Sequence, residues 1–167
     1  MTPTPEPVLR AVRDDDLEAL VVINDGAYPA VPITSVDEFA RLLTYGALVL
    51  VVDDGEPAGF LLTMSPGLDY ASENYRWFSA RSSDFLYIDR IVLAPRLQGL
   101  GLGRRLYKAA FEAARSRGAR ELVAEVNLEP PNPGSLAFHA RMGFERVGEQ
   151  PTKDGSVVVA LLAAPVS

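Results

Sequence analysis

Phe85-Leu86-Tyr87-Ile88-Asp89-Arg90-Ile91-Val92-Leu93-Ala94-Pro95-Arg96-Leu97-Gln98-Gly99-Leu100-Gly101-Leu102-Gly103-Arg104-Arg105 is the stretch on which the fold turns. Its first nine residues are apolar and rich in aromatic and β-branched side chains, as a mostly buried strand requires. Pro95 stops the strand, because proline has no N–H for the ladder. Three glycines at alternate positions then leave the backbone unshielded by Cβ atoms, so several N–H groups can point at one object. Leu106, Ala110 and Ala113 or Ala114 follow at helical spacing, and Gly118 supplies the stop. The unit reads as strand, glycine turn, helix.

The start of that helix is unusual. Helix N-termini carry unpaired N–H donors and partial positive charge, so acids are favoured there. This chain places Arg104 and Arg105 there instead, at a cost of roughly 0.3–1 kcal/mol each. A bound phosphate or pyrophosphate would reverse the sign. The competing reading leaves the arginines in solvent and the glycines as a tight turn only. The spacing fits neither the dinucleotide fingerprint, since position 104 is Arg, nor a Walker loop, since no Lys-Ser/Thr follows. It fits Gln98-x-x-Gly101-x-Gly103, and equally Arg96-x-x-Gly99-x-Gly101, two residues upstream. The first register is preferred because it puts Gly103-Arg104 at the helix start. This pattern resembles the acyl-CoA pyrophosphate loop of the GNAT superfamily of N-acyltransferases.

The 167 residues suit one domain with a proper core. Residues 1–7, with three prolines, read as a short flexible lead, and residues 8–164 as the single domain. The absence of cysteine excludes disulfides, thiolate metal sites and a cysteine nucleophile, and a single histidine excludes clustered-His zinc sites, so no metal is expected. A net charge of −6 argues against nucleic acid as the main partner. No apolar run reaches the ~20 residues of a membrane span. No membrane partner is expected, and a cytoplasmic location follows by default.

Outside the central unit, residues 8–12 alternate as a first strand. Asp14 or Asp15 opens a helix to about Asp25. Asn24 interrupts its apolar stripe and is expected on an exposed flank rather than at a ligand. Ser35 and Glu38 have capping-box spacing for a helix to Tyr45. Residues 47–52 and 58–64 form a hairpin across Asp53-Asp54-Gly55-Glu56-Pro57. Residues 65–84 are expected as a long irregular connection, with Tyr70, Tyr75, Trp77 and Phe78 either in a lid packed on the core or, preferred here, in a substrate-pocket wall. Residues 120–127 are the next strand, parallel to the central one. Ser135 is expected to cap a short helix over 136–142, and residues 144–149 and 157–162 form a last hairpin.

A second motif, Asn132-x-x-Ser135-x-x-Phe138-His139-Ala140-Arg141-Met142-Gly143-Phe144, resembles the C-terminal GNAT motif. With the order of elements, the resemblance covers most of the chain. The segments 74–78 and 127–132 look like those of a subgroup of uncharacterised bacterial GNAT acetyltransferases. The resemblance implies a mixed α/β (α+β) fold: a mostly antiparallel sheet of six or seven strands, splayed between strands 85–93 and 120–127, flanked by about four helices. It implies acetyl-CoA as co-substrate, its pantetheine arm paired with Ile91, Val92 and Leu93. The pyrophosphate would sit on Gln98, Gly99, Leu100, Gly101, Leu102, Gly103 and Arg104, and Asn132 matches a position that commonly contacts the cofactor.

The proton donor to the leaving thiolate in many GNAT enzymes is a Tyr where this chain has His139. Histidine can donate a proton, or it can be a helix residue beside Phe138 and Met142. Asp89 is an acid mid-strand, near the family's catalytic Glu position, and Glu125 lies on the facing strand. Either could be the base, or pair with Arg90. Tyr87 shares a face with Asp89 and, with Tyr75 and Trp77, is a candidate for the acceptor pocket. Asp69, Glu73, Asp84 and Asp89 would suit a cationic acceptor, which Arg76 and Arg81 oppose. The reading is direct acetyl transfer to a primary amine of a small molecule or peptide, in an enzyme whose small relatives are often homodimers. A non-catalytic acyl-CoA sensor is the alternative, and an ATP- or NAD-binding enzyme a weaker third.

Overall fold

A computed structural model describes residues 5–167; residues 1–4, most of the expected lead, lie outside the described residues. The strands are β1 (Val8–Ala11), β2 (Gly46–Asp53), β3 (Pro57–Met64), β4 (Phe85–Leu93), β5 (Glu121–Glu129), β6 (Glu145–Thr152) and β7 (Val157–Pro165). The helices are α1 (Leu17–Gly26), α2 (Val36–Thr44), α3 (Glu73–Arg81), α4 (Leu102–Ser116) and α5 (Pro133–Arg141). The strands form a seven-stranded sheet in the order β1-β2-β3-β4-β5-β7-β6. β4 and β5 are parallel, and their ladder runs over Phe85↔Glu121, Leu86↔Leu122 and Tyr87↔Val123. β5 and β6 each pair antiparallel with β7, and β1 with β2. The mixed α/β fold is as expected, with five α-helices among the described residues where about four were expected. Among the described residues no helix is long and apolar enough to cross a membrane.

The chain divides into two compact units. One takes residues up to Thr63 together with Arg90–Ala109. Phe39 and Phe60 meet edge to face at 5.3 Å in its core, among Leu20, Val51, Leu61 and Leu106. Arg10 of β1 bridges Asp53 and Asp16, both at 2.8 Å, and the hydrogen bonds it donates hold both carboxyls below the usual range. Ser35 caps α2 as expected, its Oγ accepting from Glu38 N at 3.2 Å. Gly59 lets β3 approach the end of β4 closely, since a Cβ there would lie 2.7 Å from the Val92 carbonyl oxygen.

Asn24 differs from expectation. It is fully buried. Its Nδ2 donates to Pro32 O at 2.9 Å, and its Oδ1 accepts from Arg90 Nη1 at 3.1 Å. Arg90 Nη1 also donates to Thr34 Oγ1 at 2.7 Å, and Thr34 N donates to Asp25 Oδ1 at 3.0 Å. The polar residue on the apolar stripe is therefore the buried acceptor for a buried guanidinium. It ties the segment after α1 to β4.

The second unit takes Met64–Asp89 and Ala110–Ser167. Its core joins Phe78, Phe85 and Leu86 to Leu122, Val123, Val126 and the β7 run 159–164. The connection 65–84 is not irregular throughout: Glu73–Arg81 is helical. Ser72 caps it, accepting from Tyr75 N at 3.2 Å, and Tyr75 and Phe78, three apart, supply the buried side. Ser135 is likewise not a cap. Asn132 holds that position, its side chain accepting from Ser135 N at 3.4 Å, with Pro133 in the first turn.

Candidate active site

In the first unit, Pro95–Leu97 forms a short 3-10 turn that buries Leu97. Residues 98–101 then lie exposed before α4 begins at Leu102. Gly99 and Gly101 have φ of +80° and +76°, and a Cβ at either would meet open space. Glycine is therefore demanded by backbone conformation rather than by crowding. Leu102 and Leu106 are buried on one side of α4, while Arg104 and Arg105 are exposed. Gly103 falls inside the helix. Arg96 is bound to Asp54 at 3.0 Å and to Glu56 at 3.3 Å, so the register starting at Gln98 leaves no competing ion pair in the pattern. An open, glycine-bent loop at the start of a fifteen-residue helix, with two arginines beside it, fits a polyphosphate. Gln98 to Arg104 are the residues that would hold one. Ile91, Val92 and Leu93 close β4 in the same unit, with Val92 buried.

In the second unit, β4 and β5 bring acids together. Tyr87 is fully buried, and its hydroxyl lies 2.8 and 2.9 Å from the two Glu125 carboxylate oxygens. Tyr70 Oη donates to Asp89 Oδ1 at 2.7 Å. The Asn74 amide pulls the Glu125 pKa down, and the Asp89 charge pushes it up. Loss of solvation and that neighbouring carboxylate push the Glu125 carboxyl up to about 8, against the opposing pull of Tyr87 and Asn74. The Tyr87 phenol is pushed well up, first by burial and then by Glu125. One acid, two phenols and an amide thus surround a carboxyl that can exchange a proton near neutrality.

The sequence candidates are placed unevenly. Asp89, Glu125 and Tyr87 come together. Tyr75 is buried at the junction of Tyr70, Phe85 and Tyr87, with its hydroxyl donating to Ser65 O at 2.7 Å. It anchors the 65–72 segment rather than lining an open wall. Trp77 is half-buried, with its ring over Gly148. Asn132 spends its side-chain oxygen on the α5 cap. Tyr70, expected among the pocket-wall aromatics, belongs to the acid cluster, as do Asn74 and Gln150, which the sequence does not mark as site residues. The aromatic run in 70–78 is the only sequence signal near Asn74.

His139 is buried, edge to face with Phe144 at 5.1 Å. Its Nδ1 lies 2.7 Å from Ser135 O. A carbonyl only accepts, so Nδ1 carries the proton. Burial lowers its pKa against the pull of that bond, which favours the neutral ring. With the folded pKa below the unfolded one, the unfolded chain binds the extra proton. The contribution to stability is then complete above about pH 6.5 and lost as pH falls through the lowered value. His139→Phe is expected to remove that acid-side loss, read as a flatter Tm against pH between about 7 and 5.

The sequence profile of the acetyltransferase (GNAT) family matches residues 11–144. The fold and this match define the class: the chain belongs to the GNAT acetyltransferase family and is an N-acetyltransferase. Among its relatives, the phosphinothricin N-acetyltransferase of Alcaligenes faecalis is 31% identical over 151 residues, covering 84% of this chain and 71% of the relative. The aminoglycoside N(6')-acetyltransferase type 1 of Klebsiella aerogenes is 32% identical over 61% of this chain and 60% of its own length. The ribosomal-protein-S18-alanine N-acetyltransferase of Escherichia coli superposes with a TM-score of 0.73 at 22% identity, over 97% of this chain and 95% of that one. A Salmonella typhimurium protein assigned as an acetyltransferase, solved with its cofactor acetyl-CoA, gives 0.71 at 19% identity over 97% and 95%.

Proposed function

We propose that the protein transfers acetyl from acetyl-CoA directly to a primary amine, with Glu125 as the general base. The observation that carries this reading is the cluster on β4 and β5, where the Tyr87 hydroxyl lies 2.8 Å from Glu125 and Tyr70 holds Asp89, with burial and the Asp89 charge pushing the Glu125 carboxyl up to about 8. An acceptor amine arrives mostly as an ammonium and must lose a proton before it can attack. Glu125 takes that proton. The nitrogen then adds to the thioester carbonyl, and the C–S bond breaks as the amide forms. The second nitrogen proton leaves with the thiolate, giving CoA thiol. Acetyl-CoA supplies the activated acyl group. Gln98 to Arg104 hold its phosphates, and backbone N–H groups of Ile91 to Leu93 serve the pantetheine arm and the oxyanion. Asp89, oriented by Tyr70, attracts the ammonium.

His139 stands where many relatives in the family carry the donor Tyr. Its neutral, carbonyl-bound ring supports a packing role in this reading, so His139→Phe should keep kcat within about tenfold. A loss of about 10²–10⁴-fold would make it the proton donor.

The relatives are named for N-acetylation of phosphinothricin, of aminoglycosides at N(6') and of the alanine of ribosomal protein S18. These compounds form the acceptor panel. The first test is thermal shift with acetyl-CoA, CoA, ATP and NAD. At about 100 times Kd a ligand adds ~2.7 kcal/mol, several degrees for a domain of this size. Shifts with the two CoA species alone, followed by turnover on the panel, support the reading. Binding without turnover would favour an acyl-CoA sensor. No shift with either CoA species would overturn both.

A further inference from the structure

We propose that Gln150 is a positioning residue for the reaction: it fixes the Asn74 carboxamide so that the Asn74 NH2 is presented to Glu125. This rests on the reading of Glu125 as the base.

Gln150 Nε2 donates to Asn74 Oδ1 at 3.0 Å, across 76 residues of sequence. A carboxamide has one acceptor oxygen and one donor NH2. With its oxygen engaged by Gln150, Asn74 is left with its NH2 for Glu125, consistent with the downward pull it exerts on that carboxyl. An ionised carboxylate only accepts, so this orientation favours the base form. If the amide were turned over, its oxygen would face Glu125 and favour the protonated, inactive form.

The surrounding structure supports a fixed geometry. α3, which carries Asn74, is held to the β6–β7 hairpin at three places. Glu73 Oε2 accepts from Lys153 N at 3.3 Å in the hairpin turn. Gln150 reaches Asn74. The Trp77 ring lies over Gly148, where a Cβ would come within 2.5 Å of it. Glu73, Asn74 and Trp77 are successive points on one short helix, and Gly148, Gln150 and Lys153 are successive points on the hairpin. The clamp fixes both amides at a set distance. The titratable groups facing Glu125 are Tyr87 and Asp89 of β4, with Tyr70 bonded to Asp89. Its β7 partner in register is the apolar Leu161. The amide pair is therefore the neutral element that biases a carboxyl otherwise governed by burial and by Asp89.

The test is the pH dependence of kcat/KM for Gln150→Met and Gln150→Glu, with Glu125→Gln as reference. Gln150→Met releases Asn74 without adding charge. Gln150→Glu offers a carboxylate that takes the Asn74 NH2 and turns its oxygen toward Glu125. One hydrogen bond to a charged group corresponds to about one pH unit. Both variants should move the inflection upward by about that much, lowering the rate at pH 7 about tenfold and recovering the wild-type plateau at high pH. KM for acetyl-CoA should not change. An unmoved profile in Gln150→Met, with or without a shift in Gln150→Glu, overturns the proposal, since any remaining effect is then charge alone. Should Gln150→Met fail to fold, Gln150→Asn draws the amide back by one methylene and carries the same expectation. A Glu125→Gln variant with undiminished activity would instead defeat the base reading itself.

Discussion

Glu125→Gln is expected to lower kcat/KM by about 10²–10⁴-fold while the fold is kept. Glutamine matches glutamate in size and can still accept from Tyr87, so packing around β4 and β5 is preserved. What it lacks is the ability to take a proton. In the wild type the rate should rise with pH and inflect near 8, because the deprotonated carboxylate is the active form. In the variant that inflection should disappear.

The same substitution should act on stability with the opposite sign. The folded Glu125 pKa lies above the unfolded value of 4.5. Its contribution is therefore most favourable below pH 4.5 and is lost as pH rises through about 8. Glu125 is only half-buried, so solvent screening reduces the effect to roughly 1–3 kcal/mol. Above pH 8, Glu125→Gln should be more stable than wild type by that order, measured by urea unfolding at pH 6 and pH 9. An inactive and stabilised variant separates a functional carboxyl from a structural one. A variant destabilised at both pH values would mean that Glu125 serves the fold.

Arg90→Met is expected to cost about 2–5 kcal/mol. Arg90 is buried, and its Nη1 serves both Asn24 Oδ1 and Thr34 Oγ1. Methionine fills the space but leaves two buried acceptors without that donor, at about 1–3 kcal/mol each. Urea unfolding should show the midpoint fall with little change in slope. Arg90→Lys should recover part of the loss, since one ammonium can reach one of the two acceptors but lacks the forked geometry. Asn24→Leu in the Arg90→Met background should cost less than in the wild type, because the acceptor no longer needs its partner. A loss below about 0.5 kcal/mol for Arg90→Met would mean that water replaces the guanidinium there.

Much of the fold was legible in the chain because it depends on local chemistry. The apolar run 85–93 can only be a covered strand, and Pro95 must end it. Gly99 and Gly101 were expected to bend the backbone, and both have positive φ. Ser35 caps α2 by a contact three residues long. The helix Glu73–Arg81 is hard to read in the sequence because its buried side consists of only Tyr75 and Phe78. Aromatic residues are weak helix formers, and two of them among polar neighbours carry little periodic signal. Ser135 is not the cap because Asn132, three residues earlier, accepts from the Ser135 amide and precedes a proline, so the helix starts a turn earlier.

The sequence by itself determined the class of the protein, the central strand, the glycine turn and the helix behind it. These rest on backbone conformation and on hydrophobic spacing, both written within a few residues. The tertiary structure alone decided which polar residues matter. Asn24 became a buried partner through an arginine 66 positions away. Glu125 acquired its raised pKa from burial and from Asp89, against the opposing pull of Tyr87, 38 positions away, and of Asn74. Side-chain protonation depends on the solvent excluded and the charges nearby, and the chain sets both only once it has folded.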